Sequence, residues 1–141
     1  MSWMNVPTPS NEQSWLKMIE FAESMPDTNW KKWKNQIVPL LREGIESALH
    51  RHFLAGQSMQ HLLFSVIDHY GLDEEPRVTI GFDEKMDLFV ALTTFNIWFQ
   101  QPTDRAELSG ENNLSLLRQF LVKLWITAKP DQPLPSELQN A

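Results

Sequence analysis

The sequence predicts a small α+β domain with a mostly helical first half, a short antiparallel sheet and a buried C-terminal helix. Three observations lead to this fold class. Apolar residues recur at three- and four-residue steps through the first half of the chain, as on one face of a helix. The stretch from Pro76 to Gln100 instead alternates with the period of a β-strand. A final apolar run, Leu114 to Ala128, returns to helical spacing.

Length and composition suit one folded domain. The chain has 141 residues, 42% of them hydrophobic, and six are Trp, which argues against disorder. We expect a flexible arm over residues 1–10, a globular domain over 11–128 and a disordered tail over 129–141, where Pro130, Pro133 and Pro135 cluster. The absence of Cys excludes a disulfide scaffold and Cys-ligated zinc. With no signal-peptide features and no apolar run of about 18 residues, the expectation is a cytoplasmic protein without a transmembrane segment.

Three to four helices are expected in the first half. The first spans Asn11–Ser24 and ends before Pro26. An apolar stripe from Trp30 to Phe53 then runs past Pro39, which indicates either one kinked helix or two abutting helices. A further helix is predicted over Met59–Tyr70, followed by Gly71 at a common C-terminal stop position.

The alternating stretch predicts a β-hairpin. Two runs of alternating apolar residues, 78–82 and 88–92, flank the polar link Asp83–Met86, which favours a four-residue loop. The apolar phase then shifts by one residue near Thr93 and Thr94, which indicates either a bulge or a turn into a third strand. The expected sheet therefore has two or three strands. Residues Gln101–Asn112 are predicted to form a loop, and Leu114–Ala128 a helix buried on several sides against the sheet.

One group of polar residues suggests catalysis or ligand binding. His61, Ser65 and Asp68 would line one side of the predicted Met59–Tyr70 helix, with His69 close by. The residue types match a Ser-His-Asp triad, but helical turns separate them and no nucleophile elbow is present. An enzyme or small-ligand binder that uses His61, Asp68 and His69 is therefore the alternative hypothesis.

Metal and cofactor motifs are missing from the sequence. His50 and His52 would face different directions on a helix, and only His69 with Asp73 could offer two ligands across the Gly71 turn. No glycine-rich phosphate loop occurs. We therefore expect no cofactor and no metal site.

Charge suggests interaction surfaces. The net charge of −6 argues against nucleic-acid binding. Seven acids against two bases lie between Asp68 and Asp87, and Asp83 and Glu84 occupy the predicted hairpin tip. In Trp30–Lys34, three lysines crowd a helix N-terminus, where the helix dipole disfavours cations. Basic residues beside Trp suit an acidic partner or an anionic membrane surface, although Trp30 and Trp33 also lie on the core stripe.

No motif identifies a family, and the first hypothesis is a protein-interaction module without catalysis, such as an adaptor, inhibitor or chaperone-like protein. Its expected contact residues combine the two charged segments with an aromatic residue of the alternating stretch: Trp30, Lys31, Lys32, Lys34, Asp83, Glu84 and Trp98. Peripheral membrane association through Trp30–Lys34 is a weaker alternative. An exposed sheet edge would also allow a homodimer.

Overall fold

Helices and an antiparallel sheet together form the fold. The computed structural model describes residues 11–58, 60–66, 76–93, 104–108 and 110–139. Its elements, in chain order, are α1 (Asn11–Ser24), α2 (Asp27–Glu46), β1 (Leu54–Ser58), β2 (His61–Ser65), β3 (Arg77–Phe82), β4 (Leu88–Thr93), β5 (Asp104–Leu108), α3 (Asn113–Ala128) and α4 (Ser136–Gln139). A single 3-10 turn, Leu49–Arg51, lies between α2 and β1.

The five strands form a meander in which each strand is antiparallel to the next, in the order β1-β2-β3-β4-β5. Leu62 pairs with Ile80 and Ile80 with Val90, so one row of side chains crosses the sheet on the face that belongs to the helical core. All three are fully buried. On the opposite face Leu63 and Ala91 are also buried, at 6% and 4% exposure. The sheet therefore has few water-facing positions in its central strands.

Trp15 joins α1 to three other parts of the fold. Its indole Nε1 donates a hydrogen bond to the carbonyl of Phe53 over 3.0 Å, and its ring lies 5.0 Å from that of Phe64 on β2. Gly44 on α2 faces the same ring so closely that a Cβ there would lie 2.6 Å from Trp15 Cζ3. The absence of a side chain at Gly44 is what allows α1 and α2 to approach.

The C-terminal segment packs against the turn before β1. Glu137 on α4 accepts hydrogen bonds from His52 Nε2 at 3.0 Å and from Arg51 Nη1 at 3.3 Å, and Leu138 is 3% exposed. A disordered tail was expected over residues 129–141, and the described part of this segment, 129–139, contains the short helix α4. The prolines in this segment did not indicate that Leu138, near the end of the chain, is buried. The expected arm over residues 1–10 lies outside the described residues.

Helix α1 has the predicted bounds, and α3 begins one residue earlier than predicted. Pro39 lies inside one continuous helix, α2. The hairpin of β3 and β4 is also present, although five residues rather than four separate the strands. The predicted change of phase beyond Thr93 falls outside the described residues.

The helix predicted over Met59–Tyr70 is wrong, because His61–Ser65 is strand β2. Residues 62–65 are all buried, so the segment is apolar without strict alternation, and periodicity cannot separate such a strand from a buried helix. The turn before it gives no signal either: Gln60 has a φ of 67°, a conformation that Gly or Asn adopts more readily. The described part of the first half therefore holds two α-helices, where three to four were expected.

The loop predicted over Gln101–Asn112 is also wrong, since it contains β5. This strand reads Asp-Arg-Ala-Glu-Leu, and of its three residues on the core-facing side only Ala106 and Leu108 are apolar. Charged residues of low β-propensity are typical of a short edge strand and resemble a loop in sequence. The sheet has five strands where two or three were expected.

We predict that Gly44→Ala destabilises the protein by about 1–3 kcal/mol. Helix propensity alone predicts the opposite, a gain of about 1 kcal/mol for Ala over Gly. The clash dominates because the fully buried Trp15 is held by its hydrogen bond to Phe53. Urea unfolding of the wild type and the variant measures the difference. Asn35→Ala, an exposed site on the same helix, is the control and should be neutral or slightly stabilising; a stabilising Gly44→Ala would contradict the packing.

Glu137 should make stability depend on pH. A hydrogen bond from its own backbone N–H and one from His52 lower the pKa of Glu137 from 4.5 to about 2. A carboxylate whose pKa is lower in the folded state stabilises the fold above its unfolded-state pKa, and the contribution disappears as the pH falls from 4.5 towards 2. The stability difference between the wild type and Glu137→Gln should therefore be smaller at pH 3.5 than at pH 5.5.

Urea titrations at each pH provide the measurement. Glu111→Gln is the matched control, because Glu111 is exposed and has no described ion pair. A difference for Glu137→Gln that does not change between pH 7 and pH 3.5 would show that Glu137 is not paired with His52 and Arg51.

Candidate functional site

The basic segment Trp30–Lys34 and the acidic hairpin tip lie side by side. Lys32 Nζ is 2.7 Å from Asp87 Oδ1 and donates to the carbonyl of Lys85 over 3.1 Å. Both side chains are about half exposed, at 53% and 51%. The structure thus brings together two stretches that the sequence analysis treated as separate candidate surfaces.

Two of the lysines at the start of α2 form ion pairs, one with Asp27 and one with Asp87. Lys34, with 19% of its side chain exposed, pairs with Asp27 in the first helical turn at 2.7 Å. The hydrogen bond and charge of Lys34 lower the pKa of Asp27. Lys32 pairs with the hairpin, which leaves Lys31 exposed without a described ion pair. Trp33 is fully buried and Trp30 partly buried, so these contacts give no support to the membrane hypothesis.

Asp83 stabilises the loop of the hairpin tip through hydrogen bonds to the loop backbone. Its Oδ1 accepts the backbone N–H groups of Lys85 and Asp87 at 2.8 and 3.0 Å. The N–H of Met86 donates to the carbonyl of Asp83, and Met86 has a φ of 65°. A turn followed by one left-handed residue is a common hairpin connection. The pKa of Asp83 is lowered, chiefly by the hydrogen bond from Asp87, so this carboxylate is charged at neutral pH.

A row of rings connects the helices to this tip. Neighbouring ring centroids lie 6.3 Å apart for Phe21 and Trp33, 5.6 Å for Trp33 and Trp30, and 5.6 Å for Trp30 and Phe82, all edge to face. His61 then stacks on Phe82 at 4.9 Å with the planes 11° apart. These are favourable aromatic geometries. Helix α2, strand β3 and strand β2 therefore meet at the hairpin end of the sheet.

The surface at this end is an open concavity of about 690 Å³. Its described lining is the partly buried ring of Phe82 and four charged residues of the loop, Asp83, Glu84, Lys85 and Asp87. Three carboxylates against one ammonium give this surface a negative charge. Asp83 and Asp87 also bind within the chain, whereas Glu84 is exposed and has no described intramolecular partner.

Of His61, Asp68 and His69, which carry the enzyme hypothesis, only His61 lies among the described residues, so that hypothesis stays a prediction. On a strand, His61 and Ser65 lie about 13 Å apart, beyond any direct contact, and Ser65 is fully buried. Burial lowers the pKa of His61. Gly81 sits between His61 and Phe89, where a Cβ would lie 2.9 Å from His61 Nδ1 and 2.5 Å from Phe89 Cζ. His61 is thus stacked on the ring of Phe82 and lies beside Gly81.

Several candidate residues cannot be placed. Asp68 and His69 lie outside the described residues, as do Asp73 and Trp98. Among the residues that are described, no three His, Asp or Glu side chains come close enough to hold a metal ion. His50 is 9% exposed, and its Nδ1 is buried without a hydrogen-bond partner. The described helices include none with the length and apolarity needed to cross a membrane.

Sequence reasoning missed Phe82 as a site residue and missed the pairing of Lys32 with Asp87. The alternation of Val78, Ile80 and Phe82 assigned Phe82 to the core face, and nothing in the sequence marks it as the last, partly buried residue of its strand. The opposite charges of the two segments were the one available signal for their proximity. The comparisons add no further information, since no protein-family model, curated protein or solved structure matches the chain.

Proposed function

We propose that this protein is a non-catalytic interaction module whose hairpin tip binds a basic segment of a partner protein, in the manner of an adaptor, an inhibitor or a chaperone. The observation that carries the proposal is the open concavity at the tip, where loop carboxylates surround the ring of Phe82. The expected compartment is the cytoplasm.

An arginine side chain of the partner fits this surface best. Its planar guanidinium binds carboxylates through two parallel hydrogen bonds and also stacks on aromatic rings. A lysine would use the same carboxylates as a point charge, with weaker geometric constraint. The chemistry of the tip therefore selects a cationic partner and repels an acidic one.

The contacts beneath the tip support a binding role. Asp83 fixes the loop through its two backbone hydrogen bonds, and Lys32 ties the loop to α2. The ring of Trp30 packs against Phe82 from the helix side. A loop held in one conformation loses little entropy on binding, which raises affinity without new contacts.

The edge of strand β5 is less suited to forming a homodimer than the hairpin tip is to binding a partner. Its backbone amide at Arg105 donates to the carboxylate of Asp104 over 2.9 Å, and Arg105 pairs with Glu107. Charged residues along an edge strand disfavour pairing with another strand. The proposal therefore places the partner at the hairpin tip.

Charge reversal at Glu84 tests this proposal. Glu84 is the suitable site because a change at Asp83 would also disturb the loop. The tagged wild type, Glu84→Lys and the control Glu111→Lys are used to capture proteins from the native lysate at low and moderate salt. The captured protein is then titrated against each variant. We expect Glu84→Lys to weaken its affinity about tenfold or more, with a smaller loss as salt rises, while Glu111→Lys leaves it unchanged.

Two results would contradict the proposal. One is equal affinity of the captured protein for Glu84→Lys and Glu111→Lys, which would place the interface elsewhere. The other is the absence of any stoichiometric partner of the wild type at low salt.

A further inference from the structure

A second concavity lies between α3 and the C-terminal segment, and its chemistry differs from that of the hairpin tip. It has a volume of about 460 Å³, within the range of small-molecule sites. Apolar side chains form much of its lining: Val122 from α3, and Leu134 and Leu138 from the segment that follows. No carboxylate belongs to the described residues that line it.

The groove is built by specific contacts. Leu138 is buried in the core, and Leu134 packs against it. The carboxylate of Glu137 accepts hydrogen bonds from Arg51 and His52. Gln139 Nε2 donates to the carbonyl of Leu134 over 2.7 Å and so closes the short helix on itself. These contacts direct the carboxylate of α4 away from the groove.

One cation in the groove is unpaired. Lys123 binds Asp104 of β5, whereas Arg118 has no described ion pair and its Nε is buried without a hydrogen-bond partner. Because Nε is closed even to water, a ligand reaches Arg118 only through the terminal nitrogens of its guanidinium, which have no described hydrogen-bond partner. Helix α3 contributes Arg118 and Lys123 and no acid, although the chain as a whole is acidic.

We propose that this groove binds an amphiphile with a carboxylate head and an alkyl chain, a fatty acid. The carboxylate would accept from the terminal guanidinium nitrogens of Arg118, and the chain would lie along Val122, Leu134 and Leu138. This inference goes beyond the proposed interaction function and involves none of the hairpin-tip residues. A cationic or neutral amphiphile would bury the same alkyl chain but leave the Arg118 guanidinium without an anionic partner.

The full-length ¹⁵N-labelled protein is titrated with octanoate, decanoate and dodecanoate below their critical micelle concentrations. The expected result is saturable one-to-one binding that shifts the Arg118 Nε–H resonance and the amides around Val122 and Leu138. Affinity should rise about fourfold for each added methylene, as expected for burial of an alkyl chain. Dodecyltrimethylammonium should bind at least about tenfold more weakly than dodecanoate.

Arg118→Gln provides the second arm, with Arg42→Gln as the matched control on exposed helix surface. Arg118→Gln should weaken dodecanoate about tenfold or more and leave dodecanol unchanged, while Arg42→Gln changes neither. Equal binding of dodecanoate and dodecyltrimethylammonium to the wild type would overturn the inference, and this comparison needs no variant. Shifts that do not saturate, or that map to Phe82 and the hairpin tip, would overturn it as well.

Discussion

The edge-to-face contact between Trp30 and Phe82 is the interaction on which the position of the hairpin tip depends. It joins the first turns of α2 to the last residue of β3. On the helix side the contact continues through Trp33, which is fully buried, and on the sheet side through His61. Aromatic contacts of this kind add about 0.5–1.5 kcal/mol each beyond the burial of their area. The hairpin tip therefore has a fixed position relative to the helical layer.

Electrostatic contacts refine that position rather than create it. Lys32 and Asp87 form an exposed pair, and such pairs contribute at most about 1 kcal/mol. Their larger effect is on charge distribution: Lys32 neutralises one carboxylate of the tip, while Asp83 is occupied by backbone N–H groups. Glu84 remains for a partner, which is why a single residue carries the electrostatic part of the functional proposal.

The sequence predicted the elements whose period is unambiguous. Helices α1 and α3 and the hairpin of β3 and β4 follow from repeated apolar spacing. Strand β2 was missed because it is buried on both faces, and β5 because an edge strand carries charges. The candidate site was predicted in parts: both charged segments were identified, but their contact spans more than 50 positions, and no local pattern encodes it. The helix on which the enzyme hypothesis placed His61 is wrong, since His61 begins strand β2, and the hypothesis itself stays a prediction because Asp68 and His69 lie outside the described residues.

An NMR titration of the imidazole in the full-length protein measures the pKa of His61. This pKa tests most directly whether the row of rings from Phe21 to His61 exists. The resonance is assigned by its loss in His61→Gln. Burial of His61 against Phe82 and beside Gly81 predicts a pKa below the ordinary value of 6.5, because desolvation disfavours the charged imidazolium. A pKa at or above 6.5 would place the imidazole in water or beside a carboxylate. That result would contradict the row of rings and the fixed hairpin tip that depends on it.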